Sequence, residues 1–113
     1  MRKKVSIVTP VFNEEENLCE FHTRLSNVMS DSAYEYDIIF VDDGSRDASA
    51  AILYDLSQKD GHVQAFLLSR NFGHQMALTC GIDHAEGDVV ITMDGDLQHP
   101  PELLPELLSL WED

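Results

Sequence analysis

The sequence predicts a single α/β domain built on a parallel sheet with helices on both faces. Three observations carry that expectation. Short runs rich in Val, Ile and Phe alternate four times with segments whose apolar residues recur at helical spacing, the pattern of consecutive strand–helix units. The runs are apolar at successive positions, as suits parallel strands covered on both sides. With 113 residues, the chain has the length of one domain and buries roughly two thirds of its unfolded surface.

The first strand is predicted over Lys4–Thr9, with Val5, Ile7 and Val8 apolar, and Pro10 ends it. Asn13 and Glu16 have the three-residue spacing of a capping box. The first helix is therefore expected from about Glu14 to Ser30, with Leu18, Phe21, Leu25 and Val28 as its stripe. Glu14, Glu15 and Glu16 fall in its first turn, where the helix dipole favours negative charge; Glu15 and Glu16 are assigned that role alone. A second strand, Asp37–Val41, ends in Asp42-Asp43-Gly44-Ser45, and a helix over Asp47–Lys59 follows with Ala48, Ile52 and Leu56 on one face. The third strand spans Val63–Leu68, and the loop Ser69-Arg70-Asn71-Phe72-Gly73 leads to a helix over His74–Ala85. Ala77, Cys80, Gly81 and His84 give that helix a face suited to close packing on a sheet, and Gly87 is a plausible stop,. Asp88–Met93 is the fourth strand. Pro100-Pro101 opens a fourth helix reaching about Trp111, whose stripe of Leu103, Leu104, Leu107, Leu108 and Trp111 reads as core.

Right-handed crossovers leave few topologies, and the expected strand order is 3-2-1-4. This is a Rossmann-like sheet whose chain reverses direction between strands 1 and 4. Ligands sit beyond the carboxyl ends of the strands at such a point. Pro10–Glu14, Asp42-Asp43 and Asp94-Gly95-Asp96 all fall there. Strand alternation points Asp94 and Asp96 the same way, and Gly95 has no side chain to block a ligand. Two carboxylates so placed suit a divalent cation with open positions for phosphate oxygens; the competing reading is an acidic turn.

Composition narrows the partners. The net charge is −14, from 21 acidic and 7 basic residues, which argues against nucleic-acid binding because neutralising phosphates needs Lys and Arg. It also disfavours an anionic lipid surface, Arg2-Lys3-Lys4 being a small exception. A phosphorylated ligand in such a protein needs a local cation, and a bound metal supplies it. Cys19 and Cys80 lie in different predicted helices without Cys-x-x-Cys spacing and read as free thiols. No run approaches the roughly 18 apolar residues of a membrane span, so the chain is read as soluble and cytoplasmic.

Other acidic α/β designs fit less well. A response-regulator receiver carries its acidic pair after the first strand and a lysine at a late strand; here the pair follows the second, and no lysine occurs after Lys59. A haloacid-dehalogenase-type phosphatase has its Asp-x-Asp on the first strand, where this chain has it after the fourth. A dinucleotide-binding domain needs Gly-x-Gly-x-x-Gly after the first strand, unlike Thr9-Pro10-Val11-Phe12-Asn13-Glu14.

The set Val8-Thr9-Pro10-Val11-Phe12-Asn13-Glu14-Glu15, Val41-Asp42-Asp43-Gly44-Ser45, Ser69-Arg70-Asn71-Phe72-Gly73-His74 and Met93-Asp94-Gly95-Asp96-Leu97-Gln98-His99-Pro100-Pro101 resembles family-2 glycosyltransferases of the GT-A fold. Within them it looks most like the polyprenyl-phosphate glycosyltransferases, relatives of dolichol-phosphate mannose synthase. The resemblance covers essentially the whole chain. It implies a UDP- or GDP-linked sugar donor, with Pro10, Phe12 and Glu14 at the base and ribose. Val41 and Asp43 match a second base-binding loop, where a carboxylate accepts the ring N–H of uracil or guanine. Asp42 belongs either to that loop or to a turn. Asp94, Gly95, Asp96 and Gln98 match the metal and diphosphate site, with Mg²⁺ or Mn²⁺ as cofactor. Arg70 matches a position near the site, to meet a phosphate or to form a surface salt bridge. His99 is a candidate third metal ligand. His74 is read as a helix-start residue, and His22, His62 and His84 as structural or surface.

The implied reaction is displacement at the anomeric carbon, with inversion, by an acceptor oxygen of a lipid phosphate or saccharide. Family members continue beyond the equivalent of Asp113 with acceptor-side strands and, in the polyprenyl-phosphate type, membrane helices. Residues 1–113 are therefore read as the donor-binding portion of a longer enzyme acting at the cytoplasmic face of a membrane, inactive alone. The alternative is a non-catalytic nucleotide- and metal-binding module. Strand 4 is expected to present a bare edge that invites self-association.

Overall fold

The computed structural model describes residues 3–98 and 100–112. Its elements are β1 (Lys4–Val11), α1 (Leu18–Ser30), β2 (Glu35–Asp42), α2 (Ser49–Lys59), β3 (Val63–Leu67), α3 (His74–His84), β4 (Val89–Thr92), a 3₁₀ turn (Pro101–Leu103) and α4 (Leu104–Glu112). The four strands form one parallel sheet in the order β3-β2-β1-β4, as the alternation of elements predicts.

Strand alternation sorts the core into two layers. Val5, Ile7 and Val11 of β1 and Ile38 and Phe40 of β2 pack with Phe21, Leu25 and Met29 of α1, Leu53 of α2 and Leu104 and Leu108 of α4. Phe21 and Phe40 meet edge to face, 6.2 Å between centroids. The opposite face carries a smaller cluster in which Val8, Ile39 and Val41 meet Ala77 of α3. Gly81 sets how close α3 lies: a Cβ there would stand 2.3 Å from a methyl of Val8. Helices thus cover both faces, but unequally.

Several boundaries depart from the sequence expectation. α1 begins at Leu18, with Asn17 before it and no side-chain cap; Asn13 lies outside the helix with φ 53°. The Asn13–Glu16 capping box does not form: the Asn13 side chain accepts the Arg46 N–H instead, and Glu16 lies inside the turn in which the Leu18 N–H bonds back to the Glu14 carbonyl. In α2 the buried positions are Ser49 and Leu53, with Ile52 and Leu56 flanking them and Ala48 exposed. α3 stops at His84, so Gly87 is not its cap; the Gly87 N–H instead donates to the buried Ser6 Oγ at 2.9 Å. His84 bonds through Nδ1 to the Cys80 carbonyl and packs on Phe66.

The fourth-helix stripe splits. Leu104 and Leu108 are buried, whereas Leu103, Leu107 and Trp111 are exposed, as is the neighbouring Leu110 at 73%. The exposed leucines line an apolar groove of about 540 Å³ along β4, with Leu78, Ile91 and Met93 on its other walls. Within β4, Val90 and Thr92 are exposed, since α3 covers β1 and β2 and stops short of the edge strand. Among the described residues no helix is long and apolar enough to cross a membrane.

Candidate functional site

The carboxyl ends of β1, β2 and β4 and the start of α3 enclose a cleft of about 350 Å³, within the usual range for small-molecule sites. Seven of the predicted site residues line it: Pro10, Phe12, Glu14, Asp43, Asp94, Gly95 and Asp96. Val11, Asn71, Gly73, His74 and Ala77 complete it. The structure does not bring Val41, Asp42, Arg70 or Gln98 into the lining.

The loop after β1 is held by a two-way brace to the start of α2. The Asn13 N–H donates to Ser45 Oγ at 2.8 Å, and the Arg46 N–H donates to Asn13 Oδ1 at 2.8 Å. The Glu14 N–H donates to Ser49 Oγ at 2.9 Å, and the Glu15 N–H to Asp47 Oδ2 at 3.2 Å. Glu15 returns a bond, its Oε2 accepting the Ala48 N–H at 3.0 Å. Glu15 therefore serves the first turn of α2, not that of its own helix. These bonds satisfy backbone donors that a loop would otherwise leave to water, and they fix Phe12 and Glu14 at the cleft. Asp47 also accepts the Ser49 N–H. Burial pushes its carboxyl up, but hydrogen bonds from the Ser49 side chain and backbone and from the Glu15 N–H more than offset this and hold it below its ordinary value.

The two aspartates that end β2 have different tasks. Asp42 is 2% exposed; it closes its own turn, accepting the Ser45 N–H at 3.1 Å and the Ser45 hydroxyl. The turn alternative is the one the geometry displays. Asp43 faces the cleft and organises the next loop: it accepts the Phe72 N–H at 2.8 Å, the Gly73 N–H at 3.1 Å and Asn71 Nδ2 at 3.3 Å. Gly44 permits this contact. Its φ is 71°, and a Cβ would lie 2.3 Å from the Arg70 carbonyl carbon. Arg70 itself turns away, its guanidinium 4.8 Å from the centre of the Phe72 ring; among the described residues it forms no salt bridge.

The acidic pair after β4 is placed by a turn. The strand ends at Thr92, so strand alternation does not aim Asp94 and Asp96; the chain reverses through Leu97 at φ 66°, a conformation rare for a branched side chain. The Gln98 N–H donates to Asp96 Oδ1 at 3.1 Å, closing the turn, and the Gln98 side chain is exposed. Gly95 meets the cleft with its backbone: an added Cβ would point inward, 3.4 Å from Thr9 and 3.7 Å from Leu18, and not toward a ligand. Among the described residues no group of three His, Cys, Asp or Glu forms a closed metal cage. His99 lies outside the described residues. Asp94 has no hydrogen-bond partner among them, so its oxygens are free. This donor set fits a hard cation held by two carboxylates, the remaining positions filled by ligand oxygens.

Sequence reasoning missed the cleft-facing positions of His74 and Asn71. The signal for both was their place in the loop that leads from β3 into α3, at the same sheet edge. The remaining histidines are remote. His22 and His62 bond to the two oxygens of Asp60, at 2.8 and 3.1 Å, and Tyr36 stacks on His62.

The chain is 51% identical over 106 residues to the undecaprenyl-phosphate 4-deoxy-4-formamido-L-arabinose transferase of Pseudomonas fluorescens, covering 93% of this chain and 31% of that protein. Among solved structures it superposes on a mannosyltransferase from Pyrobaculum calidifontis in complex with GDP-Man and Mn²⁺, with a TM-score of 0.80 and 20% identity, over 100% of this chain and 33% of that one. Glucosyl-3-phosphoglycerate synthase from Mycobacterium tuberculosis, in complex with Mn²⁺, UDP and glucosyl-3-phosphoglycerate, gives a TM-score of 0.75 at 22% identity, over 96% and 39% of the two chains. These likenesses show the GT-A fold. The chain spans about a third of the length of the curated relatives it matches. The family model for glycosyl transferase family 2 matches residues 6–113, and with that match over nearly its full length the chain belongs to glycosyl transferase family 2.

Proposed function

We propose that residues 1–113 form the donor-binding portion of an inverting glycosyltransferase that moves a sugar from a UDP- or GDP-linked donor to a polyprenyl phosphate. The observation that carries this reading is that Asp94 and Asp96 flank the same cleft that Pro10, Phe12, Glu14 and Asp43 line. One cleft thus offers an apolar wall for a base, carboxylate acceptors for ribose hydroxyls and ring N–H groups, and a two-carboxylate seat for a cation. Asp94 and Asp96 would hold Mg²⁺ or Mn²⁺, which when bound neutralises the diphosphate and stabilises its departure. Phe12 and Pro10 take the base, and Glu14 the ribose. Val41 and Asp42 act from behind: one is core and the other shapes the turn that presents Asp43. Arg70 and Gln98 lie outside the cleft lining and are assigned no donor contact.

In the reaction an acceptor phosphate oxygen bonds to the anomeric carbon as the bond to the donor diphosphate breaks. That oxygen is already anionic, so the step needs no base from this chain. The full-length protein is placed at the cytoplasmic face of a membrane, where a lipid phosphate and a soluble donor meet. A second reading, a nucleotide- and metal-binding module without turnover, uses the same cleft and the same two aspartates. The two differ in whether the full-length protein transfers sugar.

Calorimetric titration with UDP and GDP, each with and without Mn²⁺, tests the site. Metal-dependent binding of one nucleotide, lost in Asp94→Asn/Asp96→Asn with the fold intact by circular dichroism, is the expected result. Absence of binding by the folded wild-type chain would sink the proposal for this chain.

A further inference from the structure

We propose that His74 is a diphosphate-binding residue of the donor site. The inference rests on the nucleotide-sugar reading and adds to it the side chain that meets the phosphates. The cleft is lined by four carboxylates, those of Glu14, Asp43, Asp94 and Asp96. A nucleoside diphosphate brings further negative charge into it. A cation between Asp94 and Asp96 answers part of that repulsion. Of the side chains in the lining, His74 is the one able to carry positive charge, and even its neutral ring donates one N–H.

Its placement suits the task. His74 is the first residue of α3, and the residue before it is pinned, because the Gly73 N–H donates to Asp43. The backbone carrying the imidazole is therefore fixed from the floor of the cleft. The ring is exposed and has no hydrogen-bond partner among the described residues. His74 and Asp94 are also shared with the apolar groove along β4. The imidazole thus stands at the threshold between the donor cleft and the neighbouring groove, on the side where the aspartates seat a cation. The other candidate donors are committed elsewhere: Asn71 Nδ2 bonds to Asp43, and the Arg70 guanidinium lies over Phe72.

The test compares nucleosides with nucleoside diphosphates. Uridine, UDP, guanosine and GDP are titrated with Mg²⁺ into wild type, His74→Ala and His74→Asn. The expected result is that wild type prefers the diphosphate, and that His74→Ala weakens diphosphate binding about tenfold while nucleoside affinity stays unchanged. His74→Asn, which restores an N–H donor, recovers part of the loss. A general disturbance of the loop would weaken nucleoside and diphosphate alike. If His74→Ala keeps the full preference, or if wild type has none, the role for His74 is overturned. If wild type binds none of the four ligands, the donor-site reading itself fails and takes this inference with it.

Discussion

The two sides of the cleft are built differently. On the β1–β2 side, residues 13–15 and 45–49 exchange five backbone hydrogen bonds through their side chains, and Asp43 ties in the loop before α3. On the β4 side, Asp94 and Asp96 sit in a turn closed by one bond from Gln98, beside an edge strand and a row of exposed leucines. The wall assigned to the base and ribose is thus braced before ligand arrives, so little ordering entropy remains to be lost there on binding. The wall assigned to the phosphates lacks such a brace among the described residues and borders an exposed strand edge.

The contrast is broken most directly at Gly44. Gly44→Ala puts a methyl group into the Arg70–Asn71 backbone at a left-handed φ, and is expected to destabilise the fold by about 2–3 kcal/mol, read as a lowered denaturation midpoint. An unchanged midpoint would mean that the braced side gives way more easily than its geometry implies.

A smaller effect is expected at Asp60, which ties α1 to the β3 side through His22 and His62. Burial pushes the Asp60 carboxyl up, but the bonds from the His62 N–H and from both imidazoles more than offset this and leave it below its ordinary value. A carboxyl whose folded pKa is depressed contributes stability above its unfolded value and loses it as pH falls through the folded one. Asp60→Ala is expected to cost about 1 kcal/mol near neutrality. The difference from wild type should shrink as pH falls below about 4; urea denaturation at several pH values measures it, and a constant difference would count against the carboxylate's role.

The smallest effect on stability belongs to the open side. Leu110→Glu alters a residue that is 73% exposed, and its stability should stay within about 0.5 kcal/mol of wild type. Its consequence lies in association: the bare edge of β4 and the apolar groove are the surfaces on which isolated chains would meet. Sedimentation velocity should show less self-association in the variant than in wild type, and identical monomeric profiles would remove self-association from the account.

Much of the fold was legible because its causes are local. Val5, Ile7 and Val8, Ile38 to Val41, and Val89 and Ile91 are buried or half-buried strand residues whose largely β-branched pattern declares them,. Gly44 and Pro101 mark where elements end or begin, whereas Pro10, read as the end of the first strand, lies inside β1, which continues to Val11. The acidic ends of β2 and β4 converge because parallel strands in the order 3-2-1-4 place their carboxyl ends on one edge. The capping reading of Asn13 and Glu16 failed because the partners of Asn13, Ser45 and Arg46, lie over 30 residues away, ahead of α2. The α4 stripe was read as wholly core because helical periodicity counts apolar residues without showing which side the sheet reaches.

The sequence by itself determined the strand–helix order, the parallel sheet and the edge at which the site forms, since periodicity and turn chemistry act over a few residues. Only the tertiary structure decided how that edge is used. It turned Asp42 into a turn residue and Asp43 into the anchor of the loop ahead of α3, carried Arg70 away from the cleft, and brought His74 into it. Those outcomes depend on hydrogen bonds and close contacts between distant segments, which become defined once the sheet has fixed where each loop lies.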